Sequence, residues 1–246
     1  MDEFEGKVAL INAAGGEIGR EVALAFASLG VSVAANDINP LSVDETVRQI
    51  KQQGGVAREY VFDIAKRMPA EGLVTQVLEH CGRLDFLVNQ APVDPQALIL
   101  EMDEWDFHRT LDVNLAGSFF CIQLVGRAMR EQGGGAIVNL LSAGRKGFKG
   151  HVAHTASQAG LAGITRAAAA ELAEFNIRLN AICESPVGLE LLAAQPLDKA
   201  SIREWRDMYP HLRLGDHADL VSAILFLCSQ AGNALSGQIL ALEVSR

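Results

Sequence analysis

The sequence predicts one α/β domain, with a doubly wound parallel sheet of about seven strands covered by helices. Short runs rich in β-branched residues alternate along the chain with longer segments whose apolar residues repeat at a helical period. The 246 residues, with a mass of 26.3 kDa, suit a single hydrophobic core. No linker, repeat or low-complexity segment interrupts them. We therefore predict that residues 1–246 form one domain.

The predicted strands are short apolar runs bounded by turn residues. In chain order they are Lys7–Asn12, Val31–Asn36, Val56–Phe62, Leu84–Asn89, Gly135–Leu141, Ile177–Ile182 and Gln238–Glu243. Their regular alternation with helices is typical of parallel strands joined by helical crossovers.

The predicted helices carry their apolar residues on one face, as Ile18, Val22 and Phe26 do in the first, which Gly30 ends. The set comprises Ile18–Leu29, Leu41–Gln53, Met68–His80, Asp103–Arg130 as one helix or two joined, Val152–Glu174, Ser201–Tyr209 and Ala218–Gln230. A variable loop is expected from Glu184 to about Ala200.

Composition excludes several classes of function. The net charge of −9 and the pI near 5.2 argue against binding to nucleic acid or to an anionic membrane. The four cysteines are widely spaced without a CxxC pair, so we expect free thiols and no metal site. The acidic N-terminus lacks an apolar stretch, and no run of about 20 apolar residues occurs. We expect a cytoplasmic protein.

Several strings, in order along the chain, resemble the short-chain dehydrogenase/reductase family. The resemblance implies a Rossmann-type domain and an NAD-dependent alcohol dehydrogenase activity. It rests on VALINAAGGEIGR, Asn36-Asp37, Phe62-Asp63-Ile64, LVNQA, DVNLAGSFF, GGGAIVNLLSAG, HTASQAGLAGITRAAAAELA, IRLNAI and SGQIL.

The first turn departs from the family pattern Thr-Gly-x-x-x-Gly-x-Gly, in which glycines let the backbone approach a dinucleotide pyrophosphate. Gly15 and Gly19 remain as cofactor-binding candidates, but Ala13 and Glu17 replace two family glycines. A carboxylate here would repel the phosphates and would also suit the empty helix N-terminus. We expect weak nucleotide binding or none; the alternative is that Glu17 simply points to solvent.

Three further positions belong to the implied cofactor site. The resemblance places Asp37 on the adenosine ribose and Asp63 on the adenine amino group. The alternative is that both acids are strand-end residues hydrogen-bonded to their own turns. The family's Asn-Asn-Ala-Gly is Asn89-Gln90-Ala91-Pro92, and Pro92 fixes φ where the family has a flexible glycine.

The catalytic positions of the family are also changed. Its Tyr-x-x-x-Lys pair, in which the lysine lowers the pKa of the tyrosine, aligns with His154 and Gln158. Asn114 and Ser142 match the assisting Asn and Ser, although Ser142 precedes His154 by twelve residues rather than thirteen. After the sixth strand, Glu184 replaces the proline of the family's Pro-Gly. We expect a site that does not transfer hydride by itself.

Two other hypotheses for the function of the cleft stay open. His154 could accept a proton in a weak dehydrogenase, whereas a Ser-His hydrolase lacks both a nucleophile elbow and an orienting acid. The altered cleft could instead bind a regulatory small molecule.

The resemblance also implies oligomers built on the long helices. Small residues that permit close helix packing occur in the predicted helix Val152–Glu174: Ala159, Ala162, Gly163, Ala167 and Ala170. The alternative is that they pack on their own sheet. We predict a non-catalytic subunit that pairs with an active paralogue, as a heterotetrameric alcohol dehydrogenase of the 3-hydroxyacyl type.

Overall fold

Strands and helices alternate from one end of the chain to the other. The computed structural model describes residues 3–90, 93–142, 149–184, 212–213, 217–242 and 244–245. The strands are β1 Val8–Asn12, β2 Ser32–Asn36, β3 Ala57–Tyr60, β4 Phe86–Asn89, β5 Gly135–Ser142, β6 Ile177–Glu184, β7 Leu212–Arg213, β8 Ile239–Leu242 and β9 Val244–Ser245. The α-helices are α1 Glu17–Ser28, α2 Pro40–Gln52, α3 Arg67–Cys81, α4 Glu104–Leu111, α5 Ser118–Gln132, α6 Val152–Leu172 and α7 His217–Cys228.

Among the described residues, seven strands form one sheet in the order β3-β2-β1-β4-β5-β6-β8, and each neighbouring pair is parallel. The chain builds outward from β1 to β3 and then crosses back to add β4 beside β1. This reversal opens a crevice above the carboxyl ends of β1 and β4, which is where ligands bind in sheets of this kind.

Two apolar layers cover the two faces of the sheet. On one face, α1, α2 and α7 bury residues such as Val22, Phe26 and Ile224. On the other, α3, α5 and α6 bury residues such as Leu73 and Val125. This arrangement confirms the predicted doubly wound α/β architecture. No helix within the described ranges is long and apolar enough to cross a membrane.

Local signals in the sequence set the ends of the helices. The Asn39 side chain accepts hydrogen bonds from the N–H groups of Leu41 and Ser42, and Pro40 opens α2 with its φ already fixed. Helix α5 ends at Gly133, which has a φ of +93°. The segment predicted as one helix or two is two helices, α4 and α5, joined by a π-helical turn over Asp112–Gly117.

The small residues of α6 lie mostly on its outer face rather than against the sheet. Ala159, Gly163, Ala167 and Ala170 are exposed, and Ala162 is half-buried. A Cβ added to Gly163 would meet no atom within 4 Å. The idea that these residues pack on their own sheet is therefore wrong for the four exposed positions.

Some elements differ from the prediction. Strand β3 is shorter than Val56–Phe62, and β6 runs on to Glu184, which was predicted as the start of the variable loop. Strand β7 pairs antiparallel with β9 in a separate two-stranded sheet that the sequence did not indicate. The predicted helix Ser201–Tyr209 and the rest of the predicted loop, residues 185–200, lie outside the described residues. Cys121 and Cys228 are buried, whereas Cys81 and Cys183 are half-buried, and none of the four forms a disulfide.

Candidate active site and dinucleotide cleft

The turn between β1 and α1 is closely packed at Gly15 and at Gly19, the one family glycine that remains. A Cβ on Gly19 would collide with the carbonyl oxygen of Ala13. A Cβ on Gly15 would collide with Ser42 and lie 2.9 Å from Oδ2 of Asp37. Ala13 itself has a φ of +54°, a left-handed conformation that is unfavourable for alanine. The backbone thus follows the glycine path although one glycine has become alanine.

Glu17 is the first residue of α1, and its side chain is exposed. Within the described residues, no hydrogen bond or ion pair to its carboxylate is found. This is the solvent-facing position raised as the alternative, yet it keeps the negative charge at the helix N-terminus. An anion there complements the helix dipole of the protein itself.

Asp37 lies just beyond the end of β2 and holds two turns together. Its Oδ2 accepts a hydrogen bond from the Gly15 N–H at 3.0 Å, and its Oδ1 accepts one from the Asn39 N–H at 2.9 Å. A carboxylate oxygen has two lone pairs, so each oxygen can still accept one more donor. Asp37 therefore packs against the glycine turn and retains capacity for ribose hydroxyls.

Asp63 is more fully engaged. Its Oδ1 accepts from the N–H of Ala65 at 3.1 Å, and its Oδ2 receives Nη1 of Arg109 at 3.2 Å. The bond to its own turn matches the structural alternative. The ion pair with Arg109, a residue of α4, was not predicted.

The residues fit the two halves of a dinucleotide differently. Asp37 retains acceptor capacity on the side expected for adenosine. At the start of α1, by contrast, the exposed carboxylate of Glu17 takes the place of a glycine and brings like charge to a pyrophosphate. The turn as it stands does not fit the pyrophosphate.

Asn114 lies in the π-helical turn and anchors the segment that follows β4. Its Oδ1 accepts from the Val93 N–H at 3.0 Å, and its Nδ2 donates to the Val93 carbonyl at 2.9 Å and to Ser157 Oγ at 3.2 Å. It is buried. Single π-helical turns within α-helices are often found at functional sites.

His154 and Gln158 lie one turn apart on α6, as predicted. Nδ1 of His154 is 3.5 Å from Nδ2 of Asn114 and 3.5 Å from the Val93 carbonyl. Nε2 of Gln158 points to Ser157 Oγ at 3.5 Å. These separations are at the outer limit of a hydrogen bond. The structure thus brings Asn114 next to His154, while Gln158 approaches Ser157, which also accepts a hydrogen bond from Asn114.

For two predicted site residues, the structure describes only the position of the backbone. Ser142 ends β5 and is the register partner of Glu184, the last residue of β6. Both therefore lie at the carboxyl edge of the sheet, on the side of the crevice. Pro92 lies outside the described residues.

A hydrogen-bonded histidine–aspartate pair, three residues before His154, was missed in the sequence. Nδ1 of His151 lies 2.7 Å from Oδ2 of Asp94, and the two residues are 57 positions apart. His151 and His154 are three positions apart at the start of α6 and contact neighbouring residues, Asp94 and Val93. The sequence signal available was a second histidine one turn before the first.

A ladder of buried amides crosses the carboxyl ends of four strands. Asn36 donates to Asn12 at 3.1 Å, Asn12 to Asn89 at 2.9 Å, Asn89 to Asn139 at 3.0 Å, and Asn139 to Thr165 at 2.9 Å. Asn36, Asn12 and Asn89 are the last residues of their strands, a pattern visible in the sequence but not recognised there. Asn139 lies within β5, as the register partner of Asn89. The ladder fixes the floor of the crevice. In the part of the chain that the structure describes, no cluster of three metal-ligating side chains occurs.

Comparison with known proteins places this geometry in a family. A family model described as enoyl-(acyl carrier protein) reductase matches residues 13–243. An uncharacterised oxidoreductase of Thermotoga maritima is 37% identical, over 98% of this chain and 97% of its own. The BbsD subunit of (2S)-[(R)-hydroxy(phenyl)methyl]succinyl-CoA dehydrogenase from Thauera aromatica is 32% identical, over 96% and 95% of the two chains.

A solved structure agrees in fold as well as sequence. The 7α-hydroxysteroid dehydrogenase complexed with NADH and 7-oxo glycochenodeoxycholic acid superposes with a TM-score of 0.88 and 32% identity, over 100% of this chain and 98% of that one. The match spans every element described above. The chain belongs to the short-chain dehydrogenase/reductase family of oxidoreductases.

Proposed function

We propose that this chain is a non-catalytic subunit that assembles with an active short-chain dehydrogenase paralogue into a hetero-oligomeric, NAD-dependent alcohol dehydrogenase. The observation that carries the proposal is the replacement of the family's Tyr-x-x-x-Lys by His154 and Gln158, which lie one turn apart on α6, with His154 next to Asn114. The partner supplies the proton transfer and the dinucleotide site.

Gln158 cannot perform the role of the family lysine. An amide carries no charge, so it neither lowers the pKa of a neighbouring acid nor passes a proton on as an ammonium does. Its Nε2 is directed at Ser157 Oγ. The fixed positive charge of the family site is therefore missing from this position.

The cofactor turn supports the same conclusion. Ala13 and Glu17 stand where the family has glycine, and Glu17 presents a carboxylate at the start of α1. Loss of the proton donor, of its charged neighbour and of a neutral phosphate cradle affects one cleft. The loss of one group could be compensated by others. The loss of all three features favours a site that does not catalyse the reaction.

The outer face of α6 supports assembly. Ala159, Gly163, Ala167 and Ala170 are exposed, and nothing in this chain lies within 4 Å of a Cβ at Gly163. Glycine inside an exposed helix costs about 1 kcal/mol relative to alanine. Its own chain gains nothing from a glycine there, whereas a partner helix could approach closely.

One relative supports a proposal for the substrate class. The Thauera aromatica relative is named as one subunit of a dehydrogenase that acts on a CoA thioester with a benzylic hydroxyl. We propose that the assembly containing this chain oxidises a hydroxyacyl thioester of the 3-hydroxyacyl type, at the site of the active subunit.

Co-expression tests the assembly. The full-length chain is produced with a tagged paralogue that retains Tyr-x-x-x-Lys, and the purified material is analysed by native mass spectrometry. We expect a heterotetramer. A stable homotetramer of this chain that reduces NAD with an alcohol, formed even when the paralogue is present, would exclude the proposal.

A second candidate function has one observation in its favour. His154 stands at the position of the family tyrosine with Nδ1 3.5 Å from Nδ2 of Asn114, and an imidazole can accept a proton near neutral pH. The chain alone would then be a weak oxidoreductase in which His154 takes the proton of the substrate hydroxyl and NAD takes the hydride. Turnover by the purified chain that disappears in His154→Ala would favour this function over the first.

A further inference from the structure

The turn that begins α1 keeps the backbone shape of a phosphate cradle despite its changed sequence. Ala13 holds a φ of +54°, and the backbone packs so closely that Gly15 and Gly19 have no room for a Cβ. The replacement of a glycine by Ala13 has therefore not refolded the turn.

The backbone N–H groups at the start of α1 also have no acceptor within the helix. The first helical bond runs from the Arg20 N–H to the Gly16 carbonyl, so the N–H groups of Glu17, Ile18 and Gly19 have no partner within the helix. Gly16, at the N-cap, has no side chain that could accept from them. Such groups are a ready-made anion site.

The negative charge of Glu17 disfavours the binding of an anion at this site. Its side chain is exposed at the first position of α1, where the family has glycine. Two like charges about 4 Å apart weaken binding by roughly 5- to 1,000-fold between bulk-water and protein-surface dielectrics. The remaining features of the turn, namely backbone path, free donors and the spare lone pairs of Asp37, still suit a dinucleotide.

We infer that the negative charge of Glu17 is the determinant that excludes a dinucleotide pyrophosphate from this chain, and that the rest of the cradle is latent. Removal of this one charge opens the site to NADH. The inference goes beyond the subunit function, since it concerns the cleft of this chain whether or not a paralogue is bound.

The experiment measures NADH affinity of the full-length chain by fluorescence titration and calorimetry, so it needs no catalytic activity. Glu17→Gln removes the charge at nearly constant volume, and Glu17→Gly restores the family residue. We expect both variants to bind NADH at least roughly fivefold more tightly than the original chain. The difference between the original chain and Glu17→Gln should shrink between about 0.1 and 1 M salt, because the Debye length falls from about 10 to 3 Å.

Glu104→Gly is the matched control, because Glu104 is likewise an exposed first residue of a helix, in α4. This variant should leave NADH affinity unchanged. A gain in Glu17→Gly alone would overturn the inference, since volume rather than charge would then be the obstacle. Equal NADH affinity in the original chain and Glu17→Gln would overturn it too. Neither result would affect the test of assembly with a paralogue.

Discussion

Nδ2 of Asn114 lies 3.5 Å from Nδ1 of His154, so a residue that matches the family pattern touches one that departs from it. The contact is long, whereas both bonds of Asn114 to the Val93 backbone are about as short as good amide hydrogen bonds, at 3.0 and 2.9 Å. Asn114 therefore serves mainly to hold the segment after β4 against the π-helical turn. Its retention is explained by architecture whether or not the cleft performs chemistry.

Replacement of Asn114 should destabilise the fold. Asn114→Ala leaves the N–H and carbonyl of Val93 and the hydroxyl of Ser157 without this partner, at a cost of about 1–3 kcal/mol. Chemical denaturation of the purified chain measures the loss. Asn233→Ala, at an exposed asparagine, should change the free energy of unfolding by less than about 0.5 kcal/mol. Equal effects of the two substitutions would refute the anchoring role.

Ala13→Gly should stabilise the protein by about 0.5–1 kcal/mol. Alanine in the left-handed region costs about 1–2 kcal/mol, and this gain exceeds the added entropy of glycine in the unfolded chain. Ala25→Gly, within α1, is the opposite control and should destabilise by about 0.5–1 kcal/mol. Urea unfolding of both variants checks the sign. Destabilisation by Ala13→Gly would show that the turn is not strained.

Position 163 separates the fold of the chain from its assembly. Gly163→Leu adds a good helix former where the chain itself has space, so the free energy of unfolding of the isolated subunit should rise by about 0.5–1 kcal/mol. The same side chain should block close helix approach and reduce the hetero-oligomer in light-scattering measurements. Gly163→Ala shares the helix gain and should still assemble. Normal assembly of Gly163→Leu would place the interface elsewhere.

The hydroxyl of Tyr60 should ionise at an unusually high pH. Burial raises its pKa from 10.0 to about 12, and its hydroxyl lies 3.0 Å from Nδ1 of His80. Because the folded pKa lies above the unfolded value, the stability from this group is intact below pH 10 and is lost as pH rises towards 12. Ultraviolet titration of the phenolate in the original chain and in Tyr60→Phe isolates the signal. A Tyr60 transition near 10 in the folded chain would contradict the expected burial.

The sequence predicted the parts of the fold that depend on local pattern. The parallel sheet covered by helices followed from alternating strand and helix periods, and the one-turn spacing of His154 and Gln158 from their place on one helix. The pairing of β7 with β9 was not predictable, because two-residue strands distant in the chain carry no periodic signal.

Long-range polar contacts were the main omission at the site. Asp94 and His151 are 57 residues apart, and the asparagine ladder joins residues from four strands. Such pairs are fixed by the register of the sheet and by the path of a loop, neither of which is encoded in a local spacing. The positive φ of Ala13 was hidden for a different reason, since alanine gives no sign of a left-handed backbone.

The central claim is that this chain contributes structure rather than chemistry to a dehydrogenase. The most direct test is the rate of NADH formation by a purified assembly in which the active paralogue carries Phe in place of its catalytic Tyr. The account predicts that this assembly forms normally and shows no NADH formation above background. Turnover that persists there and is abolished by His154→Ala in this chain would contradict it.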